Sequence, residues 1–92
     1  MAVAFVLVKA RPGHERGVRD SLARLPGIVE LHSIFGEHDL LAKVEAPDYD
    51  ALGRLVSKQV RVQPGIEATH SLTVMVHPMR PTAVNFDSLD LA

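Results

Sequence analysis

Apolar runs and amphipathic segments alternate along the chain, and their two periods predict its elements. The opening "AVAFVLVK" (2–9) is apolar on both sides of a strand, with Val3, Phe5 and Leu7 opposite Ala4, Val6 and Val8. Val18, Leu22 and Leu25 then fall at i, i+4 and i+7, one stripe of a helix, among His14, Glu15, Arg16, Arg19, Asp20 and Arg24. "IVELHSIF" (28–35) is β-branched and aromatic, and "DLLAKVEA" (39–46) alternates after its first turn. A second helical stripe, Leu52, Leu55, Val56 and Val60, follows Pro47, and Asp48 is placed to cap its start. "IEATHSLTVMV" (66–76) alternates, with Ile66, Ala68, His70, Leu72, Val74 and Val76 on one face. Glu67, Thr69, Ser71, Thr73 and Met75 take the other.

Strand–helix–strand therefore occurs twice, and a repeated phrase marks the symmetry. "PGIVELHS" opens at Pro26 and "PGIEATHS" at Pro64, each after a helical segment and before a strand. Proline stops a helix and glycine permits the turn that follows. The order βαββαβ predicts an α+β, ferredoxin-like plait: a four-stranded antiparallel sheet with two helices on one face. The halves meet at "GEHD" (36–39), read as a tight turn. The expected domain is 1–77; residues 78–92 form a tail in which "TAVNF" could add an edge strand.

Two helices cover only one face of such a sheet, yet the first strand is apolar on both. An uncovered apolar face is an interaction surface, worth roughly 25 cal/mol per Å2 when buried. Face-to-face dimerisation of the sheets, in a dimeric αβ-barrel arrangement, is expected.

Composition narrows the function classes. Ninety-two residues make one domain, and 47% hydrophobic content suits a packed core. Ten basic side chains against eleven acidic ones leave a formal charge of −1, with no basic excess for a phosphate backbone. Cysteine is absent, which excludes disulfides and thiolate metal sites. The opening apolar run is too short to span a bilayer and has no basic segment before it, so a cytoplasmic protein without membrane association is expected.

Catalytic signatures are missing: no HExxH, GxSxG, phosphate-cradling loop or dinucleotide fingerprint occurs. His32 and His70 hold equivalent places in the repeat and read as polar strand residues, and no metal-ligand set is evident. No cofactor is called for. The polar cluster that stands out is "FGEHDLLAK" (35–43). Gly36 can adopt backbone angles closed to other residues and so present N–H groups to a carboxylate, while Asp39 offers a fixed carboxylate to an ammonium. The alternative is that Gly36 and Asp39 only make and close the turn. Thr69, Ser71 and Thr73 put hydroxyls along one face of the last strand, and Gln59 lies near the end of the second helix.

The pattern "LPGIVELHSIFGEHDLLAKVEAPDYDAL…VQPGIEATHSLTVM" resembles the effector-binding domain of Lrp/AsnC transcriptional regulators, the RAM (regulation of amino acid metabolism) module, over about residues 3–77. Its most specific element is Gly36-x-x-Asp39 followed by Leu40-Leu41. The resemblance implies the same plait, dimers that assemble into octamers or decamers, and a free amino acid bound between dimers near the second-to-third strand turn. It nominates Ser33, Phe35, Gly36, His38 and Asp39 around the ligand, with Asp39 on the ammonium, and Gln59, Thr69, Ser71 and Thr73 from neighbouring elements. Members of the family carry an N-terminal helix-turn-helix domain. Here the first strand begins at Ala2, so a stand-alone form is expected, one that does not grip DNA directly and that could partner full-length Lrp/AsnC regulators. Two other readings stand beside the amino-acid-binding regulatory module. One is a small monooxygenase-like enzyme of the dimeric αβ-barrel kind, with His32 and His70 as its candidates; the other is a structural adaptor.

Overall fold

The structure, a computed structural model, describes residues 1–75. The elements run β1 (Ala2–Ala10), α1 (Glu15–Ala23), β2 (Ile28–Ser33), β3 (Leu40–Ala46), α2 (Tyr49–Leu55) with a π-helical turn (Val56–Val60), and β4 (Ile66–Thr73). The sheet is antiparallel in the order β2-β3-β1-β4, so the two strands that carry the repeat form its two edges. This is the ferredoxin-like plait expected from the order of periods. The extra edge strand suggested for "TAVNF" lies outside the described residues.

One face of the sheet is closed by the helices. Ala4, Val6 and Val8 of β1 and Leu40, Ala42 and Val44 of β3 are buried there with Val18, Leu22, Leu52, Val56 and Val60. No polar or charged side chain is buried among the described residues, so the helix-side core needs no internal hydrogen bonds.

The repeated phrase does two structural jobs. Gly27 and Gly65 sit at φ +96° and +88°, where L side chains are strained. Each carbonyl then accepts a hydrogen bond from a residue at the end of an interior strand or just past it: Glu45 N–H to Gly27, Arg11 N–H to Gly65, both 2.8 Å. Each glycine also lies against the helix of the opposite half. A Cβ on Gly27 would come within 2.5 Å of Leu55, and one on Gly65 within 2.9 Å of His14. The two halves lock through these joints.

An extra residue follows each joint, at Val29 and at Glu67, where the register with β3 and β1 shifts. Such a bulge flips the alternation. Ile28 and Ile66 therefore pack against the core, while His32 and His70 project from the open face. This corrects the expectation that Ile66 shares a face with Ala68, His70 and Leu72. Strict period-2 reading cannot see an inserted residue.

Three further boundaries differ from expectation. The strands read as 28–35, 39–46 and 66–76 end or begin earlier or later, at Ser33, Leu40 and Thr73. "GEHD" is not a tight turn but part of a six-residue loop, 34–39. The helices end before their prolines, at Ala23 and Val60. The second widens before it ends: Arg61 N–H bonds Val56 C=O at 3.0 Å, five residues back. Ser57 Oγ donates to the Gly53 carbonyl at 2.7 Å, a back-bond of the kind that perturbs helices, at the place where the winding changes. Asp48 caps α2 as expected, its side chain accepting from Ala51 N–H at 2.7 Å.

The open face is mixed rather than uniformly apolar. Cross-strand partners form two rows: His32–Leu41–Leu7–His70 and Glu30–Lys43–Phe5–Leu72. The centre is apolar, with Phe5, Leu7 and Leu41, and the β4 side is mixed, with Leu72 beside His70 and a Lys9–Glu67 pair at 3.5 Å. The β2 side is charged, with Lys43 Nζ 3.5 Å from Glu30 and 3.8 Å from Glu45, and His32 Nε2 3.1 Å from Glu30. The His32 contact, with a smaller contribution from Lys43, holds the Glu30 carboxyl below its ordinary pKa.

Candidate functional site

The loop 34–39 is pinned at both ends and free in the middle. Ile34 N–H donates to Asp39 C=O at 2.9 Å, and Asp39 N–H donates to Val8 C=O at 2.8 Å. The Asp39 carboxylate accepts Ala10 N–H at 2.8 Å through Oδ2, fastening the loop to the end of β1. Asp39 therefore closes the loop, and one of its two oxygens is committed to the frame. Between the pins, Gly36 takes φ +129° with open space around it. The N–H groups of 36–38 form no hydrogen bond within the described residues. Phe35 projects fully into solvent, an unusual place for a ring this large.

A groove of about 450 Å3 lies between this loop and the first half of α1. Ser33, Phe35 and Asp39 form one wall, Arg16 and Arg19 the other. Ser33 reaches it because its register partner Leu40 is on the helix side of the sheet. Gly36 and His38 belong to the loop but do not line the groove.

The remaining candidates are elsewhere in the chain. Thr69, Ser71 and Thr73 pair with Val8, Val6 and Ala4, so the hydroxyls point to the helix side of the opposite edge. Ser71 and Thr73 line a second groove, about 300 Å3, with Tyr49, Leu52, Gly53 and Val56. Two strands separate β4 from β2, and at the usual spacing this is roughly 14 Å. Gln59 is exposed on the π-helical turn, where its carbonyl accepts from the Gln63 side chain at 2.8 Å. One chain thus brings Ser33, Phe35 and Asp39 together, and does not bring Gln59, Thr69, Ser71 and Thr73 to them.

Two contributors escaped the sequence reading. Tyr49 Oη donates to Val74 C=O at 2.9 Å and roofs the β4 groove; nothing in a lone tyrosine at a helix start announced it. Arg16 and Arg19 read as an ordinary solvated helix face, although their i, i+3 spacing was a usable sign that they share one side.

Comparison with known proteins places the chain. Residues 3–84 match the sequence model of the Lrp/AsnC ligand binding domain. The chain belongs to that family. It is 36% identical over 76 residues to the uncharacterized HTH-type transcriptional regulator PH1916 of Pyrococcus horikoshii, a match covering 79% of this chain and 51% of the relative. The chain spans about half the length of the curated relatives it matches, among them several named as HTH-type transcriptional regulators. Among solved structures, TTHA0845 of Thermus thermophilus superposes with a TM-score of 0.80 at 30% identity, covering 87% of this chain and all of that one. The regulator NMB0573 of Neisseria meningitidis, solved in complex with L-Met, shares the fold at a TM-score of 0.69 and 20% identity, covering 94% of this chain and 57% of that one. No helix among the described residues is long and apolar enough to cross a membrane.

Proposed function

We propose that this Lrp/AsnC-type domain is an amino-acid-binding regulatory module of the cytoplasm, in which a free amino acid binds at the 34–39 loop and couples to assembly. The observation that carries the reading is the loop itself. Its ends are tied to each other and to β1, and its central N–H groups are left for an outside acceptor beside a groove that Asp39 lines. Preorganised backbone donors suit the ligand carboxylate, and the uncommitted Asp39 oxygen suits its ammonium. Relatives are named as transcriptional regulators, and the L-Met in the NMB0573 complex belongs to that protein; both agree with a free amino acid as the ligand class.

Assembly completes the site in this reading. The apolar centre of the open face buries against a second copy, giving the dimer, and dimers meet so that the β4 hydroxyls and Gln59 of one subunit approach the loop of another. Octamers or decamers are the proposed forms. A ligand held at such a seam stabilises the assembled state by mass action. The module acts without gripping DNA itself, by associating with full-length Lrp/AsnC regulators. A catalytic reading built on His32 and His70 has less support, because both project from the open face and are exposed. An adaptor with an idle site would tolerate Asp39→Ala with partners and assembly unchanged. Thermal shift and size-exclusion chromatography against a panel of free amino acids test the proposal: at least one should raise the melting temperature and shift the elution volume.

A further inference from the structure

Phe35 is fully exposed although its loop is held at both ends. A projecting ring on a fixed stem has the form of a knob, and the groove between α2 and β4 has the form of its socket. That groove holds about 300 Å3, and none of the side chains lining it is charged. A cavity of about 150 Å3 accepts benzene, so a phenyl ring fits with room left beside the Ser71 and Thr73 hydroxyls. Leu52 and Val56 supply apolar surface, and Tyr49 supplies an aromatic wall fixed by its hydrogen bond to the Val74 carbonyl. Gly53 widens the opening. It lies inside α2, its φ is not positive, and a Cβ there would meet nothing within 4 Å. Neither its backbone nor its packing within the chain calls for glycine, which is a poor choice inside a helix. What the missing side chain provides is space over the groove.

Phe35 does not reach this socket in its own chain. Its loop is tied to Val8 and Ala10 at one end of β1, whereas the groove lies by Ala4 toward the other end, at the β4 edge. A second copy brings the two together. The knob stands beside α1 and the socket beside α2, both on the helix side of the sheet, so their contact leaves the open face free for the face-to-face dimer. We infer that Phe35 of one copy inserts into the groove formed by Tyr49, Leu52, Gly53 and Val56 of another. Every copy carries one knob and one socket, so the contact is head-to-tail and repeats until it closes a ring. A phenylalanine buries roughly 150–250 Å2, well short of the about 800 Å2 per partner of a standard interface. It therefore does not hold two lone chains together, but joins dimers, which present it more than once. This rests on the assembly proposed above and names its anchor, which also carries the Ser71 and Thr73 hydroxyls to a neighbour's loop.

Sedimentation velocity of the full chain, wild type beside Phe35→Ala and Gly53→Leu, tests it. The wild type should form a species larger than a dimer, and both variants should stop at the dimer at the same concentration. Phe35→Ala removes a ring that buries nothing within the chain, so the melting temperature of the dimer should hold. Gly53→Leu places a better helix former in open space, so that temperature should hold or rise while the socket is plugged. If either variant assembles as the wild type does, or if the wild type is no larger than a dimer, the knob-and-socket contact is wrong. Amino-acid binding is read separately, by thermal shift of the wild type. Should no amino acid bind while both variants lose the larger species, the contact stands and the sensing reading fails.

Discussion

The two edge strands begin with nearly the same eight residues and end in different chemistry. "PGIVELHS" and "PGIEATHS" each supply a positive-φ glycine, an inward isoleucine, a bulge, an outward histidine and a serine on the helix side. Up to the serines, five of the eight positions are identical, and Val29, Glu30 and Leu31 stand against Glu67, Ala68 and Thr69. Beyond the serines, β2 runs into a loop tied by Asp39 and faced by two arginines, whereas β4 continues through Thr73 beside an aromatic and aliphatic groove. The shared positions build the frame, and the proposed half-sites draw on the serines and on the residues where the two edges differ. The loop after β2 and the hydroxyls of β4 stand at opposite edges of the sheet, so one folded chain does not unite them.

The largest expected effect breaks the shared part. Gly27→Ala and Gly65→Ala each force an L residue into positive φ and crowd a neighbour, the Glu45 carbonyl at 3.0 Å and the His14 Cβ at 2.9 Å. Each should lower unfolding free energy by about 2–4 kcal/mol in urea titrations. Gly36→Ala, with a positive φ but open surroundings, should lose only about 1 kcal/mol. Near-equal losses at the three glycines would dissolve the distinction between frame and site.

Asp39 comes next, because it belongs to both. Asp39→Ala strands the part-buried Ala10 N–H, and should cost about 1–3 kcal/mol in stability and abolish amino-acid binding. Ser71→Ala and Thr73→Ala replace exposed side chains that make no hydrogen bond among the described residues. They should stay within about 0.5 kcal/mol of wild type in stability. Their effect, weaker binding, should show only in the assembled protein.

Tyr49→Phe removes the hydroxyl that ties α2 to the backbone beyond β4, so thermal unfolding should report about 0.5–1.5 kcal/mol lost. A loss that large on the β4 side with no change at the loop would confirm that the edges are stabilised independently.

The smallest effect concerns the charged part of the open face. The His32 hydrogen bond holds the Glu30 carboxyl low, so its contribution is present above the ordinary carboxylate range and fades as pH falls through the lowered folded value. In His32→Ala the Glu30 titration, followed by NMR, should move up toward the ordinary value.

The order of elements, the helix-side core and the Asp48 cap were all legible, because each rests on a local period or a local hydrogen bond. The bulges at Val29 and Glu67 were not: an inserted residue leaves no compositional trace, so strict alternation puts Ile66 on the wrong face. The widening after Leu55 was equally silent, since Val56 and Val60 keep a spacing that an α-helix also allows. At the site, Gly36 and Asp39 could be singled out from turn chemistry, but the structural use of one Asp39 oxygen depends on β1, twenty-nine residues away. The separation of the loop from the β4 hydroxyls is a matter of strand order, which residue spacing alone does not encode.

Sedimentation velocity with and without a saturating panel of free amino acids tests the central claim most directly. The account predicts an assembled species larger than a monomer, whose distribution shifts toward one closed size when a binding amino acid is present, and no such shift in Asp39→Ala. A monomer at micromolar concentration, unchanged by any amino acid at millimolar levels, would contradict it.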